Sequence, residues 1–288
     1  LVANTPFGFH VIGGHTDSPN LKVKPRSQRS ASGCQLLGVE CYGGGLWHTW
    51  FDRDLSVSGR VLVQRTPDPS KSENNNEEGR RSGKSIYRHT EQHLINLQDP
   101  IARISTLCIH LQSADERKAF TVNKENHTSP IIATTAVAAA KSKNHHGVSG
   151  SQSNNNSQAI LEQGATAQLN SKWQDSQEPL LLQAMAHKLG LAVHEIVDFE
   201  LNLYDTQPAT LGGIQQEFVY SARLDNLATV FTGLEGLIDY TANDGGADAD
   251  VHFAESGDIA MAVFFDHEEI GSTSAQGANS VVLPAAID

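Results

Sequence analysis

The sequence predicts an α/β protein interrupted by a long β-rich stretch, and three observations carry that class. An apolar run from Ile259 to Phe265 has the length of a buried strand and stops abruptly at four ionisable residues, Asp266-His267-Glu268-Glu269. From Leu224 onward, Leu224, Leu227, Ala228, Phe231, Leu234, Leu237 and Ile238 keep the i, i+3, i+4, i+7 spacing of one helix face. From Leu36 the texture changes to β, and Leu55, Val57, Val61 and Val63 alternate with mostly polar neighbours, as on a half-buried strand.

Taken in order, Phe7 to Gly13 reads as a short strand that breaks at Gly13-Gly14 into His15-Thr16-Asp17-Ser18-Pro19. Leu36 to Tyr42 reads as a strand leading into Gly43-Gly44-Gly45 and an aromatic patch, Trp47, Trp50 and Phe51, suited to a core or a subunit contact. Leu55, Val57, Val61 and Val63 mark a half-buried antiparallel strand. Ile101 to Leu111 is a further β-rich run in which apolar neighbours on both sides of His110 suggest a core histidine. Pro179 to Leu189 is helical, with Leu181, Leu182, Met185 and Leu189 on one face, and Ile196 to Tyr204 alternates as a strand. Asp225 falls in the first turn of the next helix, where the dipole suits a carboxylate as an N-terminal cap, but it lies close to the apolar stripe and is expected to point inward. Two low-complexity stretches, Pro67 to Ser85 and Lys141 to Ser157, read as disordered surface insertions.

The 288 residues give a prior of about two domains. Acidic residues number 33 against 21 basic, a balance of −12, and no Lys/Arg-rich block relieves it, which excludes a duplex-binding role. Such a surface attracts cations, so a metal site fits, whereas an acidic ligand needs a local positive spot. Cys34, Cys41 and Cys108 have neither disulfide-framework nor zinc-type spacing, and a reducing, cytoplasmic compartment is the default. No apolar run reaches the length of a membrane span. Starting at Leu1 and ending at Asp288 without a terminal helix, the chain reads as truncated at both ends.

Chemistry is concentrated in two places. Adjacent carboxylates such as Glu268 and Glu269 repel unless a cation, a proton or water intervenes. A divalent metal could hold them, one glutamate as ligand while the other takes a proton from a water that the ion acidifies; an acidic loop capping a strand is the alternative. His15-x-Asp17 pairs an imidazole with a carboxylate that can orient it, toward a metal or as a simple structural cap. His15, Asp225 and Glu268-Glu269 thus come from strand ends and a helix start, which is how open α/β sheets build sites.

The words Gly14-His15-Thr16-Asp17-Ser18-Pro19, Tyr42-Gly43-Gly44-Gly45-Leu46-Trp47, Trp50-Phe51-Asp52-Arg53-Asp54-Leu55, Ile109-His110-Leu111-Gln112, Tyr204-Asp205-Thr206-Gln207-Pro208, Arg223-Leu224-Asp225-Asn226-Leu227 and Asp266-His267-Glu268-Glu269-Ile270-Gly271-Ser272 occur in this order. In them the sequence resembles the aspartyl aminopeptidase family, which includes the fungal vacuolar aminopeptidase. The resemblance implies an α/β/α sandwich catalytic domain, here residues 1–27 and 210–288, with an inserted β-rich dimerisation domain over 28–209. It implies a dizinc site in which His15 binds one zinc, Asp225 bridges both and Glu269 binds the second. By the same resemblance Glu268 is the general base and contacts substrate, Asp17 supports the first metal, and His110 reaches the substrate from a neighbouring subunit. Implied too are peptide substrates with an acidic N-terminal residue, a homo-oligomer of dodecamer type, and a vacuolar alternative to the cytoplasm.

The family pattern also requires a further aspartate on the first metal and a further histidine on the second, beyond Asp288. A catalytic zinc normally takes three protein ligands, so each site is one ligand short, with His252 and Asp258 as nearby spares, and the 288 residues alone are expected to be inactive. A non-catalytic assembly subunit of the same family is the alternative reading.

Overall fold

The computed structural model describes residues 8–65, 90–137, 173–241 and 258–287. In chain order the strands are β1 (Phe9–His15), β2 (Asn20–Ala31), β3 (Cys34–Tyr42), β4 (Leu55–Gln64), β5 (Thr90–Asn96), β6 (Ile131–Thr134), β7 (Ile196–Asp205), β8 (Thr210–Gly212), β9 (Phe218–Tyr220) and β10 (Ile259–Phe265). The helices are α1 (Ala114–Lys118), α2 (Pro179–Leu189), α3 (Leu224–Thr241) and α4 (Val282–Ile287). Two compact units divide them. The larger comprises Asn20–Cys41 and Leu46–Gln207, the smaller Leu1–Pro19, Tyr42–Gly45 and Pro208–Asp288.

The larger unit is a six-stranded sheet in the order β5-β4-β7-β2-β3-β6. β4 pairs antiparallel with both β5 and β7, from Leu55 opposite Asp205 to Val63 opposite Ile196. Leu55, Val57, Val61 and Val63 are fully buried there with Leu201 and Leu203 of β7 and Leu21 of β2. Trp47 belongs to this core, and Trp50 and Phe51 pack against it, so the aromatic patch fills the interior rather than presenting a free surface. The Trp50–Leu55 and Tyr204–Pro208 motifs meet at one end of the β4–β7 pair. Arg53 is ion-paired with Asp205, and Thr206 donates its backbone N–H and hydroxyl to the Asp54 carbonyl at 2.9 and 3.0 Å.

α2 covers the core with Leu181, Leu182 and Met185 and ends at Gly190 in the left-handed conformation, where a side chain would be strained. Its N-terminus is anchored by polar groups. The Ser27 hydroxyl donates to Gln177 Oε1 at 2.8 Å and accepts from the Glu178 N–H at 2.9 Å, while Gln177 Nε2 reaches the Pro25 carbonyl. Glu178 is 1% exposed; its Oε1 accepts from the Leu180 N–H, and Oε2 has no partner among the described residues. Burial pushes the Glu178 carboxyl above its usual range, against the opposing hydrogen bond from Leu180. A carboxyl whose pKa is raised by folding costs nothing below its unfolded value and progressively destabilises as pH rises from there through the folded value. Glu178→Gln keeps the acceptor and removes the charge, so its melting temperature relative to the native protein is expected to improve between pH 4 and pH 8. Each recovered kcal/mol corresponds to about 2–4 °C, and a difference that did not change with pH would show a solvated carboxylate.

The sequence division placed residues 20–27 with the catalytic segments, but β2 runs unbroken from Asn20 to Ala31 in the larger sheet. The second boundary falls after Gln207. Ile101 to Leu111 is not a strand: Ala102 and Arg103 make isolated bridges, and the chain then turns at 109–111. His110 lies exposed in that turn between exposed Ile109 and Leu111, so it is not a core histidine. The low-complexity stretches 67–85 and 141–157 lie outside the described residues.

In the smaller unit β1 and β10 pair in parallel, from Phe9 opposite Ile259 to His15 opposite Phe265, and α3 packs on both strands. β1 does not break at Gly13-Gly14. Both glycines stay in the ladder, opposite Val263 and Phe264, and the strand ends only at His15. β8 and β9 form a separate hairpin with Phe218 and Tyr220 stacked at 6.2 Å. The apolar stripe of α3 is not a buried face among the described residues: Leu224, Phe231, Leu234 and Ile238 are exposed. The three free cysteines are unpaired with one another, and no described helix is long and apolar enough to cross a membrane.

Charge divides unequally between the units. Of the chain's 33 acidic and 21 basic residues, the segments of the smaller unit hold 14 and one, the one being Arg223.

Candidate metal centre

Parallel pairing brings the carboxyl ends of β1 and β10 to the same edge, and the chain leaves both strands there, the position at which open α/β sheets bind ligands. The Thr16 N–H donates to the Phe265 carbonyl at 2.8 Å, extending the ladder by one bond. Asp17 follows directly. Its side chain is 5% exposed and fully engaged. Oδ1 accepts from the Glu268 N–H at 3.1 Å and lies 3.2 Å from His15 Nδ1; Oδ2 accepts from the Glu269 N–H at 3.1 Å and from the Tyr42 hydroxyl at 3.0 Å.

This one carboxylate therefore fixes two things. It holds the backbone of the Glu268-Glu269 turn, which closes with the Gly271 N–H on the Glu268 carbonyl at 2.9 Å. It also occupies His15 Nδ1, together with the Asp17 carbonyl at 3.1 Å, leaving Nε2 as the ligand atom. Nε2 lies 3.3 Å from Asp225 Oδ1 and 3.8 Å from Glu268 Oε2. One ligand atom each from His15, Glu268 and Glu269 falls within a mutual 4.8 Å.

α3 supplies the remaining donor. Its regular helix is interrupted at Asp225 and Asn226, whose dihedrals are not helical. Asn226 Oδ1 accepts from the His15 N–H at 3.3 Å, and Ser18 Oγ donates to the Asp225 carbonyl at 3.3 Å, tying the start of α3 to the end of β1. The Asp225 side chain is 83% exposed, so it does not point inward as its place beside the apolar stripe suggested. It stands at the rim of the cluster, beside His15.

Electrostatics in the cluster favour a cation. Burial, followed by the neighbouring Glu268 carboxylate, raises the Glu269 carboxyl above its ordinary range. At His15 burial disfavours the charged ring, but the Asp17 carbonyl and the Glu268 and Asp17 carboxylates outweigh it and raise the imidazole above its usual value. An imidazole nitrogen and several carboxylate oxygens, one already protonation-prone through crowding, form a donor set that suits zinc.

His15, Asp17, Asp225, Glu268 and Glu269 are thus brought together, whereas His110 lies in the larger unit. Of the spares, His252 lies outside the described residues. Asp258 sits before β10, bonded to His10 Nε2 at 3.1 Å. At about 3.3 Å per residue, a strand of this length separates it from the cluster by roughly 20 Å. Two participants carried no role in the sequence reading: Asn226 and Tyr42. Both stand inside recurrent motif words, next to an assigned residue in one case and a glycine run in the other, and only the fold shows what they touch.

A mixed N/O donor cluster at the carboxyl ends of parallel strands defines an α/β metalloprotein with a zinc-type site. The chain belongs to the aminopeptidase I zinc metalloprotease (M18) family, whose model it matches over residues 3–288. It is 40% identical over 277 residues to a probable aspartyl aminopeptidase of Ricinus communis, covering 96% of this chain and 50% of that protein. An aspartyl aminopeptidase of Aspergillus oryzae is likewise 40% identical, with 96% and 49% covered. Among solved structures, the cryo-EM complex of Ape4 and Nbr1 matches with a TM-score of 0.71 at 35% identity, over 98% of this chain and 45% of that one. Chaetomium thermophilum mApe1 matches with a TM-score of 0.66 at 29% identity, over 99% and 52%. The chain spans about half the length of these curated relatives.

Proposed function

We propose that the chain forms part of a cocatalytic dizinc aminopeptidase that removes aspartyl or glutamyl residues from the N-termini of peptides. The observation that carries this reading is the Asp17 carboxylate, which holds His15 and both backbone N–H groups of the Glu268-Glu269 turn around one donor cluster. The names of the relatives supply the substrate class.

In this reading His15 through Nε2, Asp225 and Glu269 would hold zinc, and the further ligands that two catalytic ions require would come from outside this set. Zinc, when bound, polarises the scissile carbonyl and acidifies the attacking water. Glu268, half-exposed at the mouth of the cluster, accepts the proton of that water at its carboxylate and returns it to the leaving amine. Asp17 accepts from its four partners and keeps His15 in the tautomer that presents Nε2. The catalytic part is an α/β/α sandwich, and the β-rich larger unit, Asn20–Cys41 and Leu46–Gln207, serves dimerisation within a homo-oligomer, up to a dodecamer. His110, carried on an exposed apolar turn, is offered to the substrate of a neighbouring copy.

Chelation tests the whole reading. The full-length protein is expected to release N-terminal aspartate from a short peptide, to lose at least nine-tenths of that activity after dialysis against a chelator, and to recover it with zinc. It is expected to leave an N-acetylated copy of the peptide untouched, because an aminopeptidase needs a free amine. Activity that survives chelation, or that ignores the N-terminal block, would overturn it.

A further inference from the structure

The Tyr42-Gly43-Gly44-Gly45 motif has no role in the mechanism above, yet the geometry points to one: we infer that Tyr42 is a positioning residue for the metal-binding turn, an inference that rests on the proposed zinc site. Tyr42 makes two contacts with it. Its hydroxyl donates to Asp17 Oδ2 at 3.0 Å, the same oxygen that accepts from the Glu269 N–H. Its ring meets the ring of His267 edge-on, with centroids 6.4 Å apart, directly before Glu268 in the chain. His267 is in turn held through Nδ1 and Ser274 Oγ at 3.1 Å.

Gly43 explains why glycine follows. Its φ is +80°, a left-handed conformation, and a Cβ there would lie 3.0 Å from the Cβ of Glu269. The Tyr42-Gly43 backbone therefore passes directly against the residue proposed as a zinc ligand. Tyr42 sets the Asp17 carboxylate, Asp17 sets the turn, and Gly43 leaves room for Glu269 to occupy its place.

A partner that orients a ligand contributes roughly ten- to a hundredfold to metal affinity. Tyr42→Phe removes only the hydroxyl and preserves the ring contact with His267. In the full-length protein, zinc affinity measured by competition with a chromogenic chelator is expected to fall at least tenfold in this variant, with melting temperature of the zinc-free protein and oligomeric state unchanged. kcat at saturating zinc is expected to fall while KM stays within about twofold, since the substituted group touches the turn and not the peptide. Gly43→Ala supplies the second arm: it keeps the hydroxyl but crowds Glu269, and the same loss of zinc affinity is expected. Native zinc affinity in Tyr42→Phe would overturn the inference alone. A native protein that binds no zinc would overturn it together with the proposed function.

Discussion

Glu268→Gln in the full-length protein is expected to retain its zinc and to lose aminopeptidase activity by about a hundredfold or more, the size of a general-base contribution. Glu269→Gln is expected to lose the zinc itself. The two glutamates are neighbours in sequence, yet their surroundings differ. Glu269 is the more enclosed; burial and the adjacent Glu268 carboxylate raise its pKa, a strain that a cation relieves. Glu268 has a side chain 53% exposed, with Oε2 at 3.8 Å from His15 Nε2, placed to exchange a proton with water. Elemental analysis beside turnover separates the roles. Equal loss of zinc in both variants would make Glu268 a ligand, which the proximity of its oxygen to His15 and Glu269 allows geometrically, and would remove it as the base.

A larger collapse is expected at Asp17. Each of its oxygens accepts from two groups, Oδ1 facing the Glu268 N–H and His15 Nδ1, Oδ2 facing the Glu269 N–H and the Tyr42 hydroxyl. Asparagine is therefore no substitute: whichever oxygen becomes an amide nitrogen turns a donor toward donors. The backbone N–H it faces is left unsatisfied, at a cost of about 1–3 kcal/mol for each buried group. Asp17→Asn is expected to lower zinc affinity by more than a hundredfold and activity to background, and Asp17→Ala to do the same. Near-native zinc binding in Asp17→Asn would show that the turn holds its shape without the carboxylate.

Elements with a strong period were legible. Ile259–Phe265 and Pro179–Leu189 have the bounds that the apolar run and the helical spacing gave them. β2 was not legible: Leu21 and Val23 alternate with Lys22 and Lys24, but Pro25 and the polar residues from Arg26 to Ser30 dilute the pattern, and Lys22 and Lys24 meet carboxylates far along the chain, Glu200 and Glu125. Ile101–Leu111 shows the opposite failure. An apolar run does not distinguish a strand from a turn that exposes Leu107, Ile109 and Leu111. In the site, His15, Asp17 and the glutamate pair stood out as chemistry, and the family itself was legible from its motif words. Their junction was not legible, because it depends on contacts between residues as far apart as Asp17 and Glu269 that no local period encodes. An amphipathic stripe implies a covered face and so an inward-facing Asp225, whereas the side chain stands exposed at the rim.

The uneven partition of charge bears on how an acidic peptide is captured. With 14 carboxylate side chains and Arg223 as the one lysine or arginine of its segments, the unit that carries the donor cluster sets up a field that repels the proposed substrate. At physiological salt that repulsion fades beyond about 8 Å. For the proposed aspartyl substrate this unit therefore supplies no long-range attraction, and in that reading selection would rest on short-range contacts at the donor cluster. Under the proposed function, ionic strength is then expected to act on the rate of approach, and metal loading on whether approach ends in capture.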